Sequence, residues 1–552
     1  MTVERAKPGP PSVWHGWGDP AQRTPLPAKA LRFLDSALGA PKTSGPPVEL
    51  RAVLLNDSAL PDVAAAAITA VVGAEHVHTD RETRVVHAGG KSYVDLLRRR
   101  RGDAQHAPDA VVCPADHTQV QQVLAACVEH EVAVVPFGGG TSVVGGVEPV
   151  RGRFTALIAL DLVRLDALLD VDPVSMTATL QAGVRGPQIE ELLGRHRLTL
   201  GHFPQSWEQA SFGGFVATRS AGQASTGYGR IDEQVLGVTC ATPSGDLVLG
   251  RGPASAAGPR LLDVIIGSEG RLGVITSATV EVRTRPTVQR FAGWSFPSFA
   301  AGTDAFRALA QELGHGVAPD SCRLSDEEET VTTLTLAGGS LGARAMRGYL
   351  RARGRSDGSL AIFGWDGTSN AEVKRRQGAA RKILRHHGGI SLGGGPGQAW
   401  VHGRYAGPYL RDELLDHGVL VETLETATTW TDLPLLHAAV ADALRSALSA
   451  PGSDPIVQCH ISHIYRSGAS LYFTAVAGRD PDDPEGQWHA AKAAASAVIA
   501  EHRAPATHQH AVGIDHAPWM RAEVGEMGLQ LLHSLKNAVD PTGILNPGKM
   551  LP

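Results

Sequence analysis

The sequence predicts an α+β protein of more than one domain, and three observations carry that expectation. The chain has 552 residues, the length of two or three domains. From residue 106 onward, short apolar strand-like runs alternate with a periodic helical pattern and with glycine-rich loops, and past residue 286 the composition becomes more helical. Hydrophobic residues make up 43% and charged residues 19%, an ordinary globular balance with ample core material.

The elements follow in order. Residues 1–12 are polar and proline-rich and are expected to be disordered, with no signal-peptide apolar region. Residues 28–105 mix helical periodicity with turns and end in the basic run Arg98–Arg101, read as a solvated helix end. Ala110–Pro114 reads as a strand. Asp116 then resembles a helix N-cap ahead of the periodic Val120, Val123, Leu124, Cys127 and Val128. Val132–Val135 is a second buried strand. Leu157–Leu162, Thr177–Gln181, Val235–Thr242 and Gly273–Val282 supply further strands. Beyond Pro286, helices are expected over Phe299–Leu313 and Asn370–His387, with strands at Val331–Leu336 and Leu360–Gly364 between them; residues 485–503 and 520–540 read as two more helices.

Several function classes drop out. A net charge of −5 gives no basic footprint, so nucleic acid is not an expected partner. No apolar stretch is long enough for a membrane-spanning helix. The five cysteines, Cys113, Cys127, Cys240, Cys322 and Cys459, are scattered without a C-x-x-C pair and read as reduced thiols. The chain ends Met550-Leu551-Pro552, which is not a peroxisomal address. The expected location is the bacterial cytoplasm.

The most informative segment is Val134–Gly146. A buried strand ends in Pro136, Phe137 and three consecutive glycines, Gly138, Gly139 and Gly140, then Thr141, Ser142 and, further on, Gly145. Without side-chain bulk the backbone can approach a ligand, and successive N–H groups can converge on an anion. The segment lacks the Gly-Lys-Ser/Thr of a Walker loop and the spacing of the dinucleotide fingerprint. It reads either as a pyrophosphate cradle or as a structural turn. Three more segments share its grammar: Gly201–Ser206 with Phe212–Thr218, Ala221–Asp232, and Gly267–Thr276. Glycines and small hydroxyl residues between apolar strands suit a large flat cofactor held mostly by main-chain hydrogen bonds.

Together these segments resemble the FAD-binding fold of the vanillyl-alcohol oxidase / p-cresol methylhydroxylase (PCMH) superfamily, with Gly267–Thr276 matching its Gly-Ser-Glu-Gly-x-Leu-Gly-Val-Ile-Thr run. Within that superfamily the chain is similar to the alkyldihydroxyacetonephosphate synthase family. That likeness rests on Trp14–Gly18, Gly201–Ser206, and Thr218-Arg219-x-x-Gly222 with Tyr228–Glu233. The resemblance implies a two-lobed PCMH-type FAD-binding domain over 106–286, preceded by an N-terminal extension and helical region over 1–105. A mixed-sheet cap or substrate domain would follow over 287–505, and a C-terminal segment, 506–552, would return to the FAD site. It implies FAD bound non-covalently, because Gly138–Ser142 offers no histidine for a covalent link. The implied FAD contacts are Pro136, Phe137, Gly138, Gly139, Gly140, Thr141, Ser142, Gly145, Pro204, Gln205, Ser206, Gly213, Gly214, Thr218, Gly222, Tyr228, Glu269, Gly270, Leu272, Gly273, Val274 and Ile275.

The same resemblance assigns chemistry past residue 320. Arg323, by itself either a surface arginine or a functional one, resembles an essential arginine of the family. Arg411 resembles its substrate-binding arginine, and a guanidinium fork suits phosphate. Tyr472, on one face of a strand-like run, is either buried packing or an acid/base group; the resemblance makes it the catalytic tyrosine in preference to Tyr465. His508 and His510 match the outer members of the family's triple-histidine segment, where Gln509 stands in the middle and Ala511 replaces a glycine. Two imidazoles there could move protons or hydrogen-bond a substrate. His460, His463, His508, His510 and His516 are the competing metal candidates. No acidic partner has a compelling ligand spacing, so no metal is expected.

The function this implies is exchange of the acyl group of acyl-dihydroxyacetone phosphate for a fatty alcohol through a flavin N5 adduct, in ether lipid synthesis. Tyr472 would remove the substrate proton, Arg411 would hold phosphate, and Arg323, His508 and His510 would stabilise charge. The alternative is an FAD-linked oxidoreductase of a 2-hydroxy acid such as D-lactate or glycolate. Gln509 favours that alternative, as does the tail Asp540–Lys549, which resembles the C-termini of such dehydrogenases and could simply pack on the FAD domain. A lipid substrate would bring peripheral membrane contact, and a homodimer is allowed because the superfamily is often dimeric.

Overall fold

The computed structural model describes every residue except 1–2, 8, 10–11, 40–44, 251, 315, 337–340 and 451. Three large sheets, with a two-stranded one pairing Leu198–Thr199 and Arg283–Thr284, organise the described residues. The first has the strand order Val77–His78, Ala110–Val112, Ala156–Asp161, Val132–Phe137, and its last three strands are parallel. Parallel strands are covered on both faces, which is why these segments read as continuous apolar runs. The helix His117–Glu129 makes the crossover. Asp116 caps it by accepting the N–H of Gln119, and Val120, Val123, Leu124 and Cys127 bury one side in the sheet's core.

The second sheet is antiparallel, in the order Glu4–Arg5, Ala167–Asp172, Thr177–Gln181, Val274–Glu281, Val235–Thr242, Gly245–Leu249. It touches the first sheet through Ala182, Ala241 and Val274, so the two form adjoining lobes.

The third sheet has seven strands: Ile390–Gly393, Val288–Phe296, Ser359–Gly367, Ser321–Ser325, Ile456–Ile461, Gly468–Gly478 and Val419–Thr429. Every neighbouring pair is antiparallel, so the cap expected as a mixed sheet is built from antiparallel pairings throughout. One face, bearing Leu424, Cys459 and Phe473, shares a core with the helices Phe299–Glu312, Asn370–His386, Leu433–Leu448 and Pro484–Glu501. Strand alternation puts Arg323, His460, Tyr472 and Glu425 on the other face.

After the helix Met520–Val539 the chain turns at Asp540, whose carboxylate accepts the N–H groups of Gly543, Ile544 and Leu545. Val134 then donates to Ile544 and accepts from Asn546, adding the tail to the edge of the parallel sheet. The Asn-Pro-Gly-Lys tail therefore packs on the glycine-loop lobes, the structural role its turn-rich composition allowed.

Four local readings change. Val331–Leu336 is not a strand but the end of the helix Glu327–Leu336. Three glutamates in its first turn favour a helix N-terminus, and Asp326 accepts the N–H of Glu329, which together outweigh the β-branched residues that follow. Phe212–Thr218 is a helix capped by Ser211, not a glycine loop. In the basic run, Arg99 is 1% exposed and Arg100 7%, both bonded to carbonyls inside the fold, so this helix end is not solvated. Within residues 1–12, Glu4 and Arg5 pair with Leu168 and Ala167, held by the Arg5–Asp166 and Arg195–Glu4 ion pairs; residues 1–2, 8 and 10–11 lie outside the described set.

Candidate active site

Strand register sets out a polar row on the open face of the seven-stranded sheet. Glu425 is paired with Tyr472, Tyr472 with His460, and His460 with Ser325. Residues directly opposed on neighbouring strands project to the same side with Cβ atoms about 5 Å apart. Arg323, two residues before Ser325, shares that side. The rings of His460 and Tyr472 stack with centroids 4.8 Å apart. Arg323 places its two terminal nitrogens 3.1 Å from the ring nitrogens of His460 and donates to Glu329 at 2.6 Å.

The segment after Pro505 closes over this row. His510 meets the Tyr472 ring edge-on at 5.5 Å. His508 stacks on His463 at 4.8 Å, and its Nε2 lies 2.6 Å from the Tyr465 hydroxyl. The Nδ1 atoms of His508 and His510 lie 4.0 and 3.9 Å from the carboxyl oxygens of Glu425. That carboxyl also accepts the backbone N–H of Gln509. Arg323, Tyr472, His508 and His510 are thus brought together. Glu425, Glu329 and Arg230 join them, though sequence reasoning passed over all three. The available signal for Glu425 was an acidic residue within the strand-like run Val419–Thr429, three positions after Glu422.

Burial sets the charge state. It pushes Tyr472 up to about 12 and Glu425 up to about 8, and pulls His463 and His510 down to about 3. His508 is driven well below the ordinary histidine range by burial first, and then by His463, Arg230 and His510 around it. Burial would also raise Glu329, but Arg323 and His460 override it and hold that carboxyl at about 2. At neutral pH the cluster therefore holds a neutral phenol, neutral imidazoles, a Glu425 that keeps its proton, and an Arg323–Glu329 ion pair.

The five histidines considered for metal have other partners. His460 lies between Arg323 and Glu329, His463 bonds Ser225 at 2.6 Å, His508 bonds Tyr465, His510 lies beside Tyr472, and His516 bonds the Ala511 carbonyl at 2.9 Å. Among the described residues, no group of three or more His, Cys, Asp or Glu is arranged to hold a metal ion.

The glycine segments converge on one another. A Cβ on Gly139 would collide with the Gln209 carbonyl, and Gly140 has φ +63°, so the triple-glycine loop lies flat against the Gln209–Ser211 turn in a shape other residues would strain. Pro136 packs against Gly270, and Gly222 lies against the Phe203 amide, so the four segments form one surface. Gly201 leaves no room for a side chain against the Tyr228 ring. Among the described residues, no hydrogen bond takes the amide N–H of Gly139, Gly140, Thr141, Ser142 or Val143. Ser268 Oγ and Gln223 Oε1 are buried without a protein partner. Free converging amides and orphaned polar atoms fit a pyrophosphate-bearing cofactor.

Some of the implied FAD contacts also have protein partners. Glu269 accepts the N–H groups of Val512 and Gly513, each at 2.8 Å, and so ties the histidine segment to the glycine lobes. Tyr228 donates to Asp366 on the seven-stranded sheet at 2.9 Å. Thr218 donates to Gly214 inside their helix, leaving Gly213 and Gly214 to offer only backbone. Gln205 donates to the Arg404 carbonyl at 2.7 Å, beside Pro204 and Ser206 in the same turn. Gly145 packs on Ile514, while Leu272, Val274 and Ile275 are buried around Gly273 in the second lobe. Arg411 stands apart from the Tyr472 cluster in its contacts. It donates to the Lys91 carbonyl, and Lys91 N–H donates to Ser142, which puts Arg411 behind the triple-glycine loop with its Nε unpartnered.

Comparisons with known proteins place this geometry. An FAD binding domain model matches residues 108–249, and a model of the C-terminal domain of FAD linked oxidases matches residues 285–550. FAD is accordingly the cofactor of this fold. The chain is 34% identical to the alkyldihydroxyacetonephosphate synthase of Trypanosoma brucei brucei, over 87% of this chain and 79% of that protein. It is 33% identical to the synthase of Dictyostelium discoideum over the same shares. A solved alkyldihydroxyacetonephosphate synthase structure superimposes with a TM-score of 0.82 at 28% identity, covering 97% of this chain and 99% of that one. The chain belongs to the alkyldihydroxyacetonephosphate synthase family.

Proposed function

We propose that this protein is an FAD-dependent alkyldihydroxyacetonephosphate synthase, replacing the acyl group of acyl-dihydroxyacetone phosphate with a fatty alcohol and releasing the fatty acid. The observation that carries the reading is the family likeness over 87% of the chain, and the match to the C-terminal domain of FAD linked oxidases, residues 285–550, spans Arg323 to His510. FAD, when bound, would supply an electrophilic ring atom that takes up the substrate carbon and releases it without net electron transfer.

The chain's own groups do the rest. Tyr472 holds its proton at neutral pH because it is buried. To take a proton from substrate it must first pass its own to a neighbour; His510, a neutral imidazole at its ring edge, is the acceptor at hand, and Glu425 beside it can serve only once it has lost its own proton. Arg323, fixed by Glu329 and His460, presents positive charge to an oxygen that becomes anionic. Arg411 remains the phosphate ligand of this reading through its unpartnered Nε. Pro136–Ser142 and Gly145 hold the pyrophosphate, and the Pro204–Ser206, Gly213–Gly222 and Gly270–Ile275 segments enclose the remainder of FAD without a covalent link.

A lipid substrate calls for peripheral membrane contact. Val331, Leu336 and Tyr349 are exposed on the adjacent helices Glu327–Leu336 and Leu341–Ala352, and no helix among the described residues is long and apolar enough to cross a membrane. The reading is tested by anaerobic incubation of holoprotein with acyl-dihydroxyacetone phosphate and isotope-labelled fatty alcohol, with no electron acceptor added. Labelled ether product with released fatty acid is the expected result. No product, from protein whose flavin is bleached by a 2-hydroxy acid, would overturn the reading in favour of a dehydrogenase.

A further inference from the structure

We propose that Glu425 and Tyr465 are positioning residues that clamp His508 between them and fix which of its ring nitrogens carries the proton. The clamp goes beyond the functional reading in its residues and rests on it for the role of His508. Donor chemistry sets the direction. The Arg230 guanidinium lies near the Tyr465 hydroxyl and, being cationic, turns the lone pairs of the phenol oxygen toward itself. The phenol hydrogen is then left for its other partner, His508 Nε2, at 2.6 Å. Nε2 therefore accepts, and in a neutral imidazole the ring hydrogen must sit on Nδ1. His508 Nδ1 is buried without a hydrogen-bond partner, and 4.0 Å away it faces Glu425 Oε2.

The chain Arg230–Tyr465–His508–Glu425 crosses three parts of the fold. Arg230 comes from a glycine segment, Tyr465 and Glu425 from the seven-stranded sheet and its loop, and His508 from the C-terminal segment. It therefore reports whether the parts have closed on one another correctly. His463, stacked on the same ring, holds the imidazole plane.

Glu425 can work in either protonation state. As a carboxylate it faces His508 Nδ1 across 4.0 Å, and its charge favours a hydrogen on that nitrogen. As a carboxylic acid it favours the opposite tautomer, with Nδ1 accepting, and competes with the Tyr465 hydrogen bond. The groups that face Glu425 are Tyr472 across the strand pair, His508 and His510 from the C-terminal segment, and Arg230. Burial raises the Glu425 carboxyl to about 8, so its change of charge falls inside the range from pH 6 to 9.

The test uses holoprotein with 13C,15N-labelled histidine, in which the His508 signals are assigned by His508→Gln. Ring shifts report the tautomer from pH 6 to 9. The clamp predicts the Nδ1–H form above pH 8 in the wild type, and a pH-dependent step in the His508 signals that disappears in Glu425→Gln. It also predicts loss of tautomer preference in Tyr465→Phe. Turnover should fall in Tyr465→Phe by about 10- to 100-fold, less than the roughly 10⁴-fold of a histidine locked in the wrong tautomer, and should be higher in Glu425→Asp than in Glu425→Gln. A wild-type Nε2–H form above pH 8, or an unchanged tautomer and pH profile in both Tyr465→Phe and Glu425→Gln, overturns the proposal. If the wild type makes no ether product the functional reading fails, and the ring shifts still decide the clamp.

Discussion

The carboxylate of Glu269, inside the Gly267–Thr276 segment, holds the backbone N–H of Gly513 at 2.8 Å, and the neighbouring Val512 N–H at the same distance. This one side chain fastens the histidine segment to the glycine lobes. Glu269→Ala leaves two buried donors without an acceptor, which costs about 2–4 kcal/mol. Thermal unfolding and flavin content measured together should show a lower midpoint and weaker FAD retention, with Glu269→Gln falling between that variant and the wild type. Wild-type stability and turnover in Glu269→Ala would remove the fastening role.

Arg323 is held from two sides, by Glu329 and by His460. Lysine keeps the charge but cannot reproduce a planar fork. Arg323→Lys is expected to retain FAD and to lose about 100-fold in kcat, the scale of removing one preorganised electrostatic donor. Steady-state kinetics at matched flavin content read the effect, and a change confined to KM would place Arg323 in binding alone.

Tyr228 gives a contrasting case, because its hydroxyl is already engaged by Asp366 across the lobe boundary. Tyr228→Phe should bind FAD within about threefold of the wild type while losing about 1 kcal/mol of stability from the missing hydrogen bond. Isothermal titration of apoprotein with FAD separates the two effects. A large loss of FAD affinity would return the hydroxyl to the cofactor.

Acid stability follows from the buried histidines. His202 is 2% exposed, and burial pulls it down to about 3. Its unfolded form takes up a proton below about 6.5 while the folded form does not, so its contribution to stability is present above pH 6.5 and is lost as pH falls toward 3. His202→Gln should flatten the acid limb of a urea-unfolding series by about 1.4 kcal/mol per pH unit within that window. An unchanged slope would mean that His202 charges inside the folded protein.

The four glycine segments were legible because their meaning is local: backbone that must lie close to a neighbour needs glycine wherever it occurs. The helices Phe299–Glu312, Asn370–His386, Pro484–Glu501 and Met520–Val539 were legible from periodicity, and Asp116 from its capping position, while Leu341–Ala352, Gly407–Asp416 and Leu433–Leu448 were not. Pairing was not. Glu425 and Tyr472 are neighbours only because two distant strands meet in one register, and nothing in Val419–Thr429 announces its partner strand. The same limit hid the burial of Arg100, whose partners include His15 and Asp416, far along the chain in either direction. Arg411 was legible as a likeness but not as a position, since its place behind Ser142 depends on how Lys91 threads between them. Val331–Leu336 misled because its β-branched residues were weighed without the acidic first turn ahead of them.

The central claim is that Tyr472, set between His460, His510 and Glu425, handles the proton of a synthase reaction. The most direct measurement is turnover of Tyr472→Phe in the anaerobic alcohol-exchange assay, at the flavin content of the wild type. The account predicts intact FAD binding with exchange reduced by about 100-fold or more. Full turnover in Tyr472→Phe with FAD still bound would contradict it.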